Sequence, residues 1–237
     1  MKKILKILIL ICLMNIGMEA RALQKVITVP SSDVLKKDAI LLKQVSRVFP
    51  YKGGNVLVIP SATVGLGWGT EASVSVPVNI MFNDGAASEK INIEAKKVFY
   101  LGSDNNRLTV GGLVGPSLNM PVCPDMFLYA HATRYIPKTR TTFTAGGYLT
   151  GENHFTNKGG MILTLDQGLI GNKLRVVTEL LTGENNRSLF GAGLKYKLMD
   201  DFSISGAFIV PIQGADNVGF QLVFSKFIFP EKQRENL

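Results

Sequence analysis

The residues best suited to nucleophilic or metal chemistry are two histidines, His131 and His154, and a cysteine, Cys123. A serine activated by a histidine would make a lipid or ester hydrolase. Neither histidine stands in a His-x-Ser arrangement, so His131 would need a serine from elsewhere in the chain, such as Ser73 or Ser203. Two histidines and one cysteine far apart in sequence are a poor zinc set. Gly65-x-Gly67-x-Gly69 lies on a strand and its turn with no helix after it, so it is not a nucleotide-binding fingerprint. No cofactor, no metal and no enzymatic activity are expected.

A larger set is charged or polar and recurs on one side of alternating segments. It comprises Lys43, Arg47, Glu71, Asn79, Asn92, Glu94, Lys96, His131, Arg140, Asp166, Arg175, Glu179, Lys195 and Lys197. Facing one another across a lumen, such side chains would sort small solutes, with a weak preference for anions or neutral molecules. Facing charges of opposite sign can also pair and close that lumen. Gly65, Gly67, Gly191 and Gly193 add room on the same side.

The elements that must carry this set are strands. In the C-terminal third, Leu174, Val176, Thr178 and Leu180 alternate with Arg175, Val177, Glu179 and Leu181. Phe190, Ala192, Leu194, Tyr196 and Leu198 then alternate with Gly191, Gly193, Lys195 and Lys197. A period of two with one apolar side marks a strand between two different environments. Twelve such segments are predicted, at 35–49, 56–68, 71–80, 90–101, 107–114, 126–136, 139–150, 160–167, 174–181, 190–198, 202–210 and 220–229. The first is the poorest, and a short helix at 36–42 is its alternative. Pro60 inside the second predicts a bulge or kink. The four C-terminal strands, roughly eight to ten residues each, approach the roughly 9–11 needed to cross a bilayer at a tilt.

Loop lengths point the same way. Connections after even strands are short (69–70, 103–106, 137–138, 168–171, 199–201), and those after odd strands are mostly longer (50–55, 82–89, 115–125, 151–159, 183–187, 212–217). Outer-membrane barrels pair short periplasmic turns with longer outer loops. A soluble barrel or sandwich would need no such parity and would bury its apolar side. The fold expected is all-β: a single antiparallel transmembrane β-barrel of about twelve strands.

The N-terminus reads as a secretory signal peptide over 1–22. Met1-Lys2-Lys3 opens it, an apolar run from Ile4 follows, and Ala20-Arg21-Ala22 offers a cleavage site. Its loss would remove Lys2, Lys3, Lys6 and Arg21 together with Glu19, so the formal charge falls from +8 to +5. Cys12 would leave with it, and Cys123 alone forms no internal disulfide. Residues 23–34 are expected as a periplasmic lead-in, 35–229 as the barrel and 230–237 as a short polar tail. Without a Lys/Arg-rich block there is no nucleic-acid signature. The partners expected are outer-membrane lipid, small solutes, periplasmic chaperones and the barrel-assembly machinery.

Ile59-Pro60-Ser61, Val64-Gly65-Leu66-Gly67, Glu71 and Val76-Pro77-Val78 resemble the early hairpin of uncharacterised outer-membrane transporter proteins, the phenol-degradation porin-like (MetA-pathway) barrels. The final aromatic strand is similar to the assembly signal of outer-membrane proteins, but it ends at Phe229 with Pro230 to Leu237 beyond. The resemblance implies a passive channel for small, apolar or aromatic molecules. It carries over no site residues.

Overall fold

The computed structural model describes residues 27–50, 55–81, 85–87, 90–116, 125–151, 158–171, 173–212 and 218–230. The expected signal peptide with Cys12, residues 23–26, Cys123, His154 and tail residues 231–237 lie outside the described residues.

The described chain contains strands and no helix. In order they are β1 (Ile40–Phe49), β2 (Asn55–Gly67), β3 (Thr70–Ser75), β4 (Val78–Met81), β5 (Gly85–Ala87), β6 (Asn92–Tyr100), β7 (Asn106–Gly115), β8 (Asp125–Ile136), β9 (Thr141–Thr150), β10 (Gly159–Ile170), β11 (Leu174–Leu181), β12 (Leu189–Met199), β13 (Phe202–Pro211) and β14 (Gly219–Ile228). Each pairs antiparallel with its neighbours, and β1 bonds to both β2 and β14. That double pairing closes the sheet. β3 with β4 forms one broken stave of the wall and β5 with β6 another, so the closed barrel has twelve staves.

Alternation along each stave separates the two faces. In β8, Phe127, Tyr129, His131 and Thr133 are buried while Leu128, Ala130, Ala132 and Arg134 are exposed. The exposed face is apolar around the wall, with Leu66, Ile93, Leu149, Leu163, Leu194 and Phe208 among its large side chains. The buried face carries Glu71, Lys96, Arg107, Thr109, Glu179 and Lys195. Apolar outside and polar inside is the arrangement of a barrel solvated by lipid. A closed ladder leaves no free edge, so backbone groups in the wall find their partners in neighbouring staves without water.

The turns at 68–69, 101–105 and 137–140 gather at one end, where β10 also ends, β11 and β1 begin and β14 ends. We call it the turn end, and the opposite one the loop end. Trp68, 94 % exposed, stands at the turn end as an interfacial aromatic. Lys97 donates to the Trp68 carbonyl, and its ammonium lies 5.8 Å from the Phe99 ring centre. An amphipathic stem with its charge at the barrel rim explains how a lysine is tolerated there.

The expected bulge at Pro60 is absent. Register runs unbroken through Pro60 against β1 and is the same on both sides of it against the third stave. A residue in an antiparallel ladder points its N–H and C=O at the same neighbour. Pro60 therefore lacks only one bond: Val76 N–H donates to the Pro60 carbonyl at 3.1 Å, and nothing returns. The break falls opposite, at Val76–Pro77, where a second donor is missing. Ser75 faces Asn92 and Asn79 faces Ala87, so the fourth stave takes five steps where the third takes four.

The reading of 35–49 as one strand, with a helix at 36–42 as alternative, is also corrected. Residues 35–39 turn at the turn end before β1 begins, with Asp38 at φ 65°. Asp38 N–H donates to the Gly65 carbonyl and Gly65 N–H to the Ala39 carbonyl, both at 2.9 Å. A Cβ on Gly65 would stand 2.0 Å from the Lys36 carbonyl oxygen, too close for any side chain. Gly65→Ala is expected to push residues 35–37 off the wall and cost about 1–3 kcal/mol, the usual range for overpacking, as read by urea unfolding.

Candidate functional site

The described start of the chain lies inside the barrel rather than beside it, which relocates residues 27–34 of the expected periplasmic lead-in. From Ala39 at the turn end it runs up the lumen, and three sets of contacts from the wall hold it. Near the turn end, Leu35 N–H donates to Glu71 Oε2 at 3.1 Å, and the Lys96 ammonium donates to the Ser31 and Asp33 carbonyls at 2.8 and 2.6 Å. Lys96 also pairs with Glu71 at 3.0 Å, both side chains almost wholly buried. Between those two carbonyls, Ser32 Oγ bonds to the Thr109 and Thr133 hydroxyls at 2.7 and 2.6 Å. Arg107 donates to the Ser32 carbonyl at 3.1 Å and pairs with Asp33 at 2.7 Å.

The third set centres on Glu179. Its carboxylate accepts from Ile27 N–H at 2.9 Å, Thr28 N–H at 2.8 Å, Val29 N–H at 3.1 Å and the Thr28 hydroxyl. Three consecutive amides converging on one anion form a concave cluster of backbone donors, here filled by a side chain. Gln221 completes the seat by donating to the Ile27 carbonyl at 3.1 Å.

Apolar packing fills much of the remaining lumen. Ile27 and Val29 join Leu113, Phe127, Tyr148 and Ile162 in a buried cluster towards the loop end. Leu35, Ala39, Leu41 and Phe227 form a second at the turn end, with Phe229 against it. A polar chamber of about 60 Å³ survives between Ile27 and the wall formed by β1, β2, β3 and β6. Lys43, Arg47, Lys96, Glu71 and Glu94 line it, with hydroxyls from Ser61, Thr63, Ser73 and Ser75. A larger apolar groove, about 740 Å³, runs along the outer wall between Phe143, Leu163 and Phe190, where lipid would fill it.

The fourteen sequence-derived candidates thus separate into groups. Lys43, Arg47, Glu71, Glu94 and Lys96 meet in the chamber, where Glu94 accepts from the Tyr129 hydroxyl at 3.1 Å. Asp166 gathers Arg175 at 2.5 Å and Lys195 at 3.5 Å into one cluster. Asn79 and Asn92 are half-buried, each with an amide oxygen lacking a partner among the described residues. His131 is 1 % exposed and stacks on Tyr129, ring centres 5.9 Å apart. Two candidates belong at the rim. Arg140 is exposed at φ 55° in the turn before β9, because that strand begins at Thr141 and not at 139. Lys197 pairs with Asp200 at 2.8 Å beside the turn that follows β12. The Asp200 carboxyl is held below the usual carboxylate range, chiefly by the hydrogen bond from Lys197.

Several contributors were not among those candidates: Arg107, Thr109, Gln221 and the segment 27–39 itself. Arg107 and Thr109 alternate with the apolar Leu108 and Val110, so their inward position was available in the period of two. The seat of residues 27–39 has no local signal, because Val29 and Glu179 are 150 positions apart.

No protein-family model matches the chain, and no curated sequence does. Solved structures do. A KdgM porin aligns with a TM-score of 0.58 at 8 % identity, over 80 % of this chain and 99 % of its own. The COG4313 outer membrane channel from Pseudomonas putida F1 aligns with a TM-score of 0.58 at 8 % identity, over 84 % of this chain and 98 % of its own. Outer membrane phospholipase A from Escherichia coli aligns at 0.50 and 8 % identity, over 84 % and 99 %. At such identities the likeness is one of fold: the chain has the architecture of outer-membrane β-barrels.

Proposed function

We propose that the chain is a bacterial outer-membrane channel for the passive passage of small solutes, narrowed in this conformation by its own residues 27–39. The observation that carries the reading is the inverted barrel with a polar chamber along one inner wall. The chamber's charges and hydroxyls favour small polar solutes over the apolar or aromatic ones that the phenol-degradation resemblance suggests. Export through the periplasm by chaperones and closure by the barrel-assembly machinery follow from the same reading. A hydrolase is less well supported, since His131 has no serine within hydrogen-bonding distance among the described residues and lies deep inside the wall. The test is single-channel recording of the refolded mature chain in planar bilayers. Small discrete steps are expected. Folded, inserted protein that passes no current, either as it is or with residues 27–34 released, would show a non-conducting barrel.

A further inference from the structure

The interior arginines are not equivalent. Arg175 donates to Asp166 at 2.5 Å, Arg107 to Asp33 at 2.7 Å and Arg187 to Asp125 at 2.7 Å. Arg47 differs: its Nε donates to a neutral acceptor, the Gln221 amide oxygen, at 2.7 Å. Among the described residues no carboxylate stands at ion-pair distance from it. Glu179 attracts its charge and Arg187 repels it, but the Glu179 oxygens are already taken by Ile27, Thr28 and Val29. Gln221 is itself fixed, 1 % exposed and bonded to Ile27, so it holds the guanidinium in place without neutralising it.

The space in front of Arg47 matches that charge. Lys96 has its donors engaged by Glu71, Ser31 and Asp33, so it adds little further pull. Across the chamber, Lys43, Arg47 and Lys96 face Glu71 and Glu94, three cations against two anions. Hydroxyls of Ser61, Thr63, Ser73 and Ser75 supply neutral donors in the same wall. A part-buried guanidinium with no carboxylate partner among the described residues is stabilised by an anion that can reach it. Its planar fork suits the two oxygens of a carboxylate or phosphate.

We infer that the chamber is a binding site for a small oxyanion of the carboxylate or phosphate class, with Arg47 as the residue that selects it. This deepens the channel reading and rests on it for any role in transport. The volume of about 60 Å³ admits an ion of a few heavy atoms and not an oligomer. A site of this kind in the narrow part of a lumen draws anions in and repels cations, since low-dielectric walls focus its field. Arg175 and Lys195 share one carboxylate, Asp166, and so contribute less to selection.

Two measurements on the full refolded chain test the inference, one of which needs no conduction. Inorganic phosphate, and acetate in parallel, are titrated while thermal unfolding in detergent is followed. Phosphate at 50 mM is expected to raise the unfolding temperature by roughly 3 °C, through preferential binding to the folded state. That rise should vanish in Arg47→Gln and persist, reduced, in Arg47→Lys. Reversal potential in a tenfold KCl gradient is the second readout: an anion preference in the native chain should fall several-fold in Arg47→Gln. Absence of any phosphate or acetate shift in the native chain overturns the site even if Arg47→Gln does not fold. An undiminished shift in Arg47→Gln removes Arg47 from it. A phosphate shift that depends on Arg47, in a barrel that passes no current, sustains the site and sinks the channel reading instead.

Discussion

Glu179→Ala is expected to unseat the first residues of the described chain while leaving the wall closed. The carboxylate receives three consecutive amides, at 2.9, 2.8 and 3.1 Å, and the Thr28 hydroxyl. Hydrogen bonds to a charged group contribute about 1.5–3 kcal/mol each, so loss of only two amounts to about 3–6 kcal/mol. What remains for residues 27–29 is the bond from Gln221 and apolar contact with the inner cluster. Amide exchange at Ile27, Thr28 and Val29 should quicken by more than about a hundredfold, since about 1.4 kcal/mol is tenfold. Channel steps should grow several-fold at the same time. Glu179→Gln, which keeps the shape and one acceptor oxygen, should fall between. Unchanged exchange at Ile27–Val29 in the alanine variant would mean that apolar packing alone seats the segment.

Lys96→Met is the second large effect, and it acts on the whole barrel. Lys96 lies in a buried pair with Glu71 at 3.0 Å and supports two carbonyls of the inner segment. Removing one member of a buried pair strips the other of its ion-pair partner, at a cost of about 3–5 kcal/mol. A fall of that size in urea unfolding is expected. Glu71→Leu combined with Lys96→Met should recover part of it, because both charges of the pair are then removed together. Recovery stays partial, since Leu35 N–H and the carbonyls of Ser31 and Asp33 still lack their partners. A single variant that costs less than about 1 kcal/mol would show that water reaches this pair and screens it.

The wall was legible because its information is local. In β8, apolar Leu128, Ala130 and Ala132 alternate with Tyr129, His131 and Thr133, and nothing beyond the period of two is needed to place them. The twelve-stave count followed from the same pattern, with the break at Val76–Pro77 hidden inside a segment that still alternates. Turn positions were harder. Arg140 continues the alternation of β9 by spacing alone, yet its positive φ places it in the turn before that stave begins. Pro60 misled in the other direction: a rule for strand interiors predicted distortion where the ladder loses one donor and keeps its register. Least legible was the lumen's occupant. Ile27 to Leu35 have no period, and their partners come from staves spread from Glu71 to Gln221. Long-range seating of that kind leaves no trace in a window of ten residues.

The same seating sets an order in time. Ile27 is held by Gln221, 194 positions later, and β1 is sealed to β14, so the earliest described residues depend on the latest. Contacts of such separation form slowly, because the chain between them must be ordered first. Until β11 and β14 are in place, residues 27–39 lack the Glu179 and Gln221 parts of their seat. If the β1–β14 seam shut early, those residues would have to thread a finished ring. If it shuts late, the ring forms around them. Sealing the seam and docking the leading residues are thus coupled steps at the end of assembly, and a lesion at Glu179 or Gln221 should delay maturation of the barrel as well as loosen its interior.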